Sequence, residues 1–236
     1  MTVGHNSVAD NAAWTFSGDV AKTFVQHIRQ SVPLYEEGHE LVCQLSDYFV
    51  SNNSTCYELG TSTGELLRKL AENSKSKPDS RWIGIDNERP MIQEARRHCK
   101  GLKNVELVHD DLRTVPLEKA DLIVSYYTMQ FVAPRDRQEV FNRVYESLNW
   151  GGAFIMFEKV RAPDARFQDI SVSLYNDFKL RQGFSPEEIL SKTRSLKGVL
   201  EPFSTEGNIG LLKRAGFADI NTVSKYICFE GFLAIK

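Results

Sequence analysis

Glu58, Gly60, Gly64 and Asp86 have the types and the spacing to do chemistry. The two glycines lie in Tyr57-Glu58-Leu59-Gly60-Thr61-Ser62-Thr63-Gly64, where a short apolar strand runs into a turn and a helix follows. Glycine belongs where a backbone must approach a ligand that a Cβ would obstruct. Ile83-Gly84-Ile85-Asp86 is a second short apolar strand, and it ends in a carboxylate. That carboxylate follows the turn by about 20 residues, the separation at which nucleotide-binding folds place a ribose reader. An aspartate there can accept hydrogen bonds from both ribose hydroxyls. The four residues together imply a doubly wound α/β protein that holds an adenosine.

The turn narrows the choice of cofactor. A dinucleotide fold needs G-x-G-x-x-G, because the pyrophosphate rests on bare backbone amides. Here Ser62 stands where the middle glycine would be. A phosphate loop needs a Lys after its last glycine, and Gly64 is followed by Glu65. Glu58 would repel a pyrophosphate but suits a ligand carrying an ammonium and a sulfonium. S-adenosylmethionine carries both, so the acid-x-G-x-x-x-G form reads as a methyltransferase-type motif. The plainer reading, in which the glycines only make a tight strand-to-helix turn, stays open on this motif alone.

Two further strand ends support the ligand reading. Val105 to Val108 leads into Asp110-Asp111-Leu112-Arg113, where a carboxylate can take an adenine amino group. Ala120 to Tyr127 is a fourth strand, whose end should face the reacting sulfonium. In open α/β sheets ligands bind at the carboxyl ends of the strands, near the switch in strand order.

At 236 residues the chain fits one domain with embellishments. A net charge of −2, with no basic run, argues against a dedicated nucleic-acid surface. Cys43, Cys56, Cys99 and Cys228 lie far apart and read as free thiols of a reducing compartment. The histidines show no ligand spacing, so no metal site is expected. No apolar run follows a basic start, and none approaches membrane-spanning length, so a cytoplasmic protein without a signal peptide is expected.

The periodicity predicts helices over Val20–Gln30 and Glu37–Val50, then an alternation of strands and helices. Strands are expected near Ser54–Gly60, Trp82–Asp86, Val105–Val108, Leu122–Tyr127 and Ala153–Glu158. Helices are expected at Gly64–Asn73, Arg89–His98 and Arg135–Leu148, with Asn149 to Gly152 as a turn. Asp164–Leu180 and Pro186–Leu200 are helical stretches with no strand between them. They predict a cap over residues 160–206. A helix Gly207–Ala215 and a closing hairpin, Asp219–Ser224 with Tyr226–Ile235, complete the chain. The expected fold is a class I methyltransferase-like, Rossmann-like sheet, mostly parallel with a C-terminal antiparallel hairpin, plus N-terminal helices and the helical cap. One domain is expected over 14–236, with 1–13 frayed.

Several segments are specific enough to point to a family. Trp14-Thr15-Phe16, Ser31-Val32-Pro33 with Tyr35, Ile85-Asp86-Asn87 with Met91-Ile92, Thr128-Met129-Gln130-Phe131, Leu148-Asn149 with Gly151-Gly152-Ala153, Glu158-Lys159, Asp177-Phe178-Lys179 and Arg194-Ser195 resemble the carboxy-S-adenosylmethionine synthase family. The resemblance runs from about Trp14 to the C-terminus. It implies that prephenate loses its ring carboxylate and hydroxyl to become phenylpyruvate, and that the cofactor's methyl carbon captures the released CO₂. On that resemblance the departing hydroxide could serve as the base, so the protein would need mainly to exclude water and hold two anions. The product would serve a partner enzyme that modifies a tRNA wobble uridine, or a related carboxymethylation pathway. Carried over by position, Tyr35, Gly60, Thr61, Ser62, Asp86, Asn87, Asp111 and Leu112 would line the cofactor, S-adenosylmethionine or its carboxylated form. Arg194 would reach the added carboxylate from a neighbouring subunit of a homodimer, its planar fork pairing with both oxygens.

Two positions depart from the family pattern. The family usually has Asn where this chain has Tyr126, and commonly Cys where it has Thr61. Tyr126 would donate a hydrogen bond to the added carboxylate in place of the Asn, which makes Tyr126 and Arg194 the expected catalytic pair. The change also keeps an alternative open, a small-molecule methyltransferase using plain S-adenosylmethionine.

Overall fold

The computed structural model describes residues 20–236; Trp14-Thr15-Phe16 and the expected frayed segment 1–13 lie outside them. Two helices, α1 (Val20–Ser31) and α2 (Tyr35–Ser46), precede a run of alternating elements. These are β1 (Thr55–Leu59), α3 (Glu65–Asn73), β2 (Arg81–Asp86), α4 (Arg89–His98), β3 (Val105–His109) and β4 (Ala120–Tyr126). A short 3-10 turn (Met129–Phe131), α5 (Pro134–Ser147) and β5 (Leu148–Lys159) follow. Then come α6 (Ala165–Arg181), α7 (Pro186–Ser195), α8 (Thr205–Ala215), β6 (Asp219–Tyr226) and β7 (Phe229–Ile235).

The seven strands are ordered β3-β2-β1-β4-β5-β7-β6. The first five are mutually parallel, and β7 runs antiparallel to both β5 and β6. The chain winds outward from β1 to β3, then returns to the other flank of β1 as β4. Adjacent β1 and β4 therefore mark the switch in strand order, and a crevice opens above their carboxyl ends.

Both faces of the central strands are buried, which explains why β1, β2 and β4 read as short continuous apolar runs. Tyr57, Leu59, Ile123, Phe154 and Met156 pack on one side with Val140, Phe141 and Val144 of α5 and Leu211 and Leu212 of α8. Cys56, Trp82, Leu122, Val124 and Ile155 pack on the other with Leu66, Leu67 and Leu70 of α3. No helix among the described residues is long and apolar enough to cross a membrane.

The structure moves several expected boundaries. Asn149 to Gly152 belongs to β5 and is not a free turn, because Leu148 already pairs with Ala120 and the C-terminal residue supplies backbone partners. Gly151 donates to the Lys236 carbonyl at 2.8 Å, and Lys236 donates to the Gly152 carbonyl at 3.0 Å. α7 stops at Ser195, before Gly198 turns left-handed at φ 72°. The chain then crosses to the 3-10 turn, where Glu201 donates to the Gln130 carbonyl. α2 starts two residues before Glu37, entered through Leu34 at φ 56°, and ends at Ser46, not Val50. Tyr226 closes β6, and the hairpin turns at Ile227 (φ 52°).

Candidate functional site

The glycine turn is fastened to the neighbouring strand by its backbone. Gly60 and Thr61 both donate to the Ile85 carbonyl, at 2.8 and 2.9 Å. Gly60 adopts φ 75°, and a Cβ there would collide with the Thr128 side chain. The glycine thus answers to the chain leaving β4 as well as to any ligand. Ser62, also left-handed at φ 50°, donates its N–H to Asp86 Oδ2 at 2.8 Å. Asp86 Oδ1 accepts from Glu88 N–H at 2.9 Å. The Asp86 carboxylate therefore holds the turn and the start of α4 together, with lone pairs remaining for a ribose. Burial raises its pKa.

Glu58 is buried, and its Oε2 accepts the Thr61 hydroxyl at 2.6 Å. Desolvation pushes its pKa up to about 8. Thr61 is thereby oriented by the acid that precedes it. Gly64 caps α3 at φ 74° and does not line the cavity. A Cβ on it would lie 2.9 Å from the Ala95 Cβ, so its smallness lets α3 pack against α4.

A single cavity of about 1320 Å³ opens over these strand ends. Pockets for one small ligand run to roughly 1,000 Å³, so there is room for a cofactor and a second molecule. It brings together Tyr35, Glu58, Gly60, Thr61, Ser62 and Asp86 with Asn87, Asp111, Leu112 and Tyr126. Asp111 is clamped by Arg113, whose guanidinium reaches its Oδ2 at 2.6 Å and holds its pKa down. α6 and α7 form the opposite wall, with Tyr175, Lys179 and Lys192 among its residues.

The sulfonium end expected at β4 is an aromatic cluster. Tyr126 lies 5.4 Å from Tyr35, 4.7 Å from His39 and 4.9 Å from Phe157, centroid to centroid. Burial holds the His39 ring neutral, with its pKa lowered to about 3. Aromatic faces attract cations, a sulfonium included. The expectation that Tyr126 donates to an added carboxylate meets an obstacle here. Its hydroxyl proton is already given to the Tyr35 carbonyl at 2.8 Å. The same hydroxyl fills the space above Gly38, where a Cβ would overlap it.

Arg194 is exposed on α7 and is not among the cavity's lining residues, although Lys192 and Thr193 of the same helix are. Its own chain does not bring it to the site.

The sequence reading assigned no role to Glu65, Lys159, Lys179 or Lys192. Glu65 lines the cavity, pairs with Arg29 through Oε1, and leaves Oε2 buried with no hydrogen-bond partner. Its place in the first turn of α3 was visible, but its burial was not. Lys159 and Lys179 stand in Glu158-Lys159 and Asp177-Phe178-Lys179, segments used above only as marks of resemblance. Buried acids near the turn (Glu58, the orphaned Glu65 oxygen) and an aromatic wall beyond it fit a ligand with an ammonium and a sulfonium.

The comparisons agree with this geometry. A family model described as a methyltransferase domain matches residues 57–152. Human N-acetylserotonin methyltransferase, solved with its S-adenosylmethionine, superposes with a TM-score of 0.58 at 18% identity, over 97% of this chain and 63% of that one. It supports the fold. The carboxy-S-adenosyl-L-methionine synthase of Staphylococcus epidermidis is 37% identical over 94% of this chain and 97% of its own length. That of Campylobacter lari is 36% identical over 94% of both. With such identity over nearly the full length of both proteins, the chain belongs to the carboxy-S-adenosyl-L-methionine synthase family.

Proposed function

We propose that this protein is a carboxy-S-adenosylmethionine synthase, an enzyme that binds S-adenosylmethionine and converts it, with prephenate, to the carboxylated cofactor and phenylpyruvate. The observation that carries this reading is the near full-length match to curated synthases, which takes in turn, strand ends and cap together. The cavity has the volume for both reactants.

The cofactor supplies the methyl carbon that becomes carboxylated. The chain's own residues would bind and shield. Asp86 and Asn87 would face the ribose, and Asp111 and Leu112 the adenine. Glu58 and Glu65 would face the ammonium. Tyr35, Tyr126 and Tyr127 would exclude water from the sulfonium end, where a carboxylate is lost as CO₂ more readily in an apolar setting than in water. No side chain needs to act as nucleophile.

One observation favours the second reading, methyl transfer from plain S-adenosylmethionine: the Tyr126 hydroxyl is spent on the Tyr35 carbonyl. Incubation with prephenate and S-adenosylmethionine separates the two. Mass spectrometry should find the carboxylated cofactor, and absorbance should find phenylpyruvate. Untouched prephenate, with plain S-adenosylmethionine copurifying, would overturn the synthase reading.

The homodimer, the cytoplasmic setting and service to tRNA wobble-uridine modification belong to the same proposal. Support for the dimer comes from α6, where Phe167, Ile170 and Leu174 recur at helical spacing and are each about half exposed. Such a stripe beside α7 would bring Arg194 of one subunit toward the other's cavity. Light scattering at micromolar concentration should give about twice the 26.8 kDa chain mass. A fully active monomer would exclude the cross-subunit role.

A further inference from the structure

Lys159 and Lys179 come from opposite walls of the cavity, one from the end of β5 and the other from α6. They meet at one ring. Lys159 Nζ lies 4.3 Å and Lys179 Nζ 4.4 Å from the centroid of Tyr175. Tyr175 is itself fixed, donating its hydroxyl proton to the Ser31 carbonyl at 2.8 Å and packing edge-on against Phe229. Lys179 is 7% exposed. Among the described residues neither ammonium has a carboxylate or a hydrogen-bond acceptor; they lie against aromatic faces, with the Cys228 thiol nearby. Burial, and in the case of Lys179 the charge of Lys159, push both pKa values down, Lys179 to about 8.

A desolvated cation without an anion is costly, and proteins ordinarily pair it or leave it in water. Ring faces offset only part of that cost. Two such cations lining one cavity suit an anionic ligand. The cofactor's adenosine half does not supply it. β2, which ends in Asp86, and β5, which ends in Lys159, are separated by β1 and β4. At the usual strand spacing that is about 14 Å. β5 lies on the opposite side of β4 from β1 and β2, so Lys159 and Asp86 stand on opposite sides of the β4 end.

We propose that Lys159 and Lys179 form the subsite for the carboxylate that the second substrate keeps through the reaction, so that the enzyme selects a dicarboxylate. The inference rests on the synthase reading. One carboxylate of such a substrate must sit at the apolar β4 end to be lost as CO₂. The other must be held elsewhere, by charge, to fix the molecule's direction. Tyr175, which lines the cavity beside both ammonium groups, would lie against the substrate's unsaturated ring.

The test is a calorimetric titration of phenylpyruvate, which bears only the retained carboxylate, into protein saturated with S-adenosylmethionine. Lys159→Met and Lys179→Met should each weaken phenylpyruvate binding at least tenfold. Both should raise the KM for prephenate with kcat little changed, and alter S-adenosylmethionine affinity less than twofold. Methionine keeps the apolar stem, so melting temperatures should hold or rise. Lys159→Arg and Lys179→Arg, which keep the charge, should restore most of the binding. Phenylpyruvate affinity within twofold of the unaltered protein would overturn the subsite. So would loss of S-adenosylmethionine binding in its place, since the lysines would then serve the cofactor's own carboxylate. If the unaltered protein fails to convert prephenate, the synthase reading falls, and the phenylpyruvate titration still decides the subsite.

Discussion

Replacing Arg194 with alanine should cut formation of the carboxylated cofactor by at least 100-fold while S-adenosylmethionine binds as before. The side chain is exposed and outside its own chain's cavity. Its removal should therefore change stability by no more than about 0.5 kcal/mol. In the proposed dimer the effect would come instead from the neighbouring subunit's product. An added carboxylate in a desolvated pocket needs a cation, and leaving a charged acceptor unpaired costs about 1–3 kcal/mol or more. Arginine meets both carboxylate oxygens in one plane. Arg194→Lys should therefore recover only part of the activity. The measurement is mass spectrometry of the cofactor after incubation with prephenate, with calorimetry for S-adenosylmethionine. Full product yield from Arg194→Ala would remove this residue from the site.

Asp86→Ala should weaken S-adenosylmethionine by roughly 5- to 150-fold for each charged hydrogen bond lost, at about 1–3 kcal/mol each. The loss has two sources. In the proposed site the ribose hydroxyls would lose their acceptor. The turn also loses its tie, because the Ser62 and Glu88 amides both end on this carboxylate. Ser62 holds a left-handed conformation that a non-glycine residue keeps only when its surroundings enforce it. Asp86→Asn retains an acceptor oxygen and should fall between the two. Calorimetric titration of both variants is the check, with circular dichroism to confirm the fold. Unchanged affinity in Asp86→Ala would place the ribose elsewhere.

Much of this architecture could be read from the chain because local patterns and tertiary burial coincide. α4 runs from Arg89 to His98 as expected, with Pro90 in its first turn and basic residues in its last. β1, β2 and β4 were legible because strands covered on both faces are apolar without interruption. The start of β5 was not legible. Asn149-Trp150-Gly151-Gly152 has the composition of a turn, and it is extended only because Lys236, far along the chain, lies beside it. The site followed the same division. The turn and the acid of β2 are neighbours in the pattern of the motif. Lys159 and Lys179 meet only through the cap, and the Tyr126 hydroxyl finds the Tyr35 carbonyl across 91 positions. Spacing along the chain carries no trace of such pairings.

Gly38 and Tyr126 share one small volume: the tyrosine hydroxyl occupies the place where any Cβ at position 38 would go. The two positions therefore constrain each other. With the tyrosine hydroxyl in this place, residue 38 is best left as glycine, in the interior of a helix where glycine costs about 1 kcal/mol relative to alanine. A chain with the smaller asparagine at 126 is released from that restriction. An alanine at 38 would force the tyrosine hydroxyl to move and give up its bond to the Tyr35 carbonyl, whereas an asparagine at 126 would leave room for it.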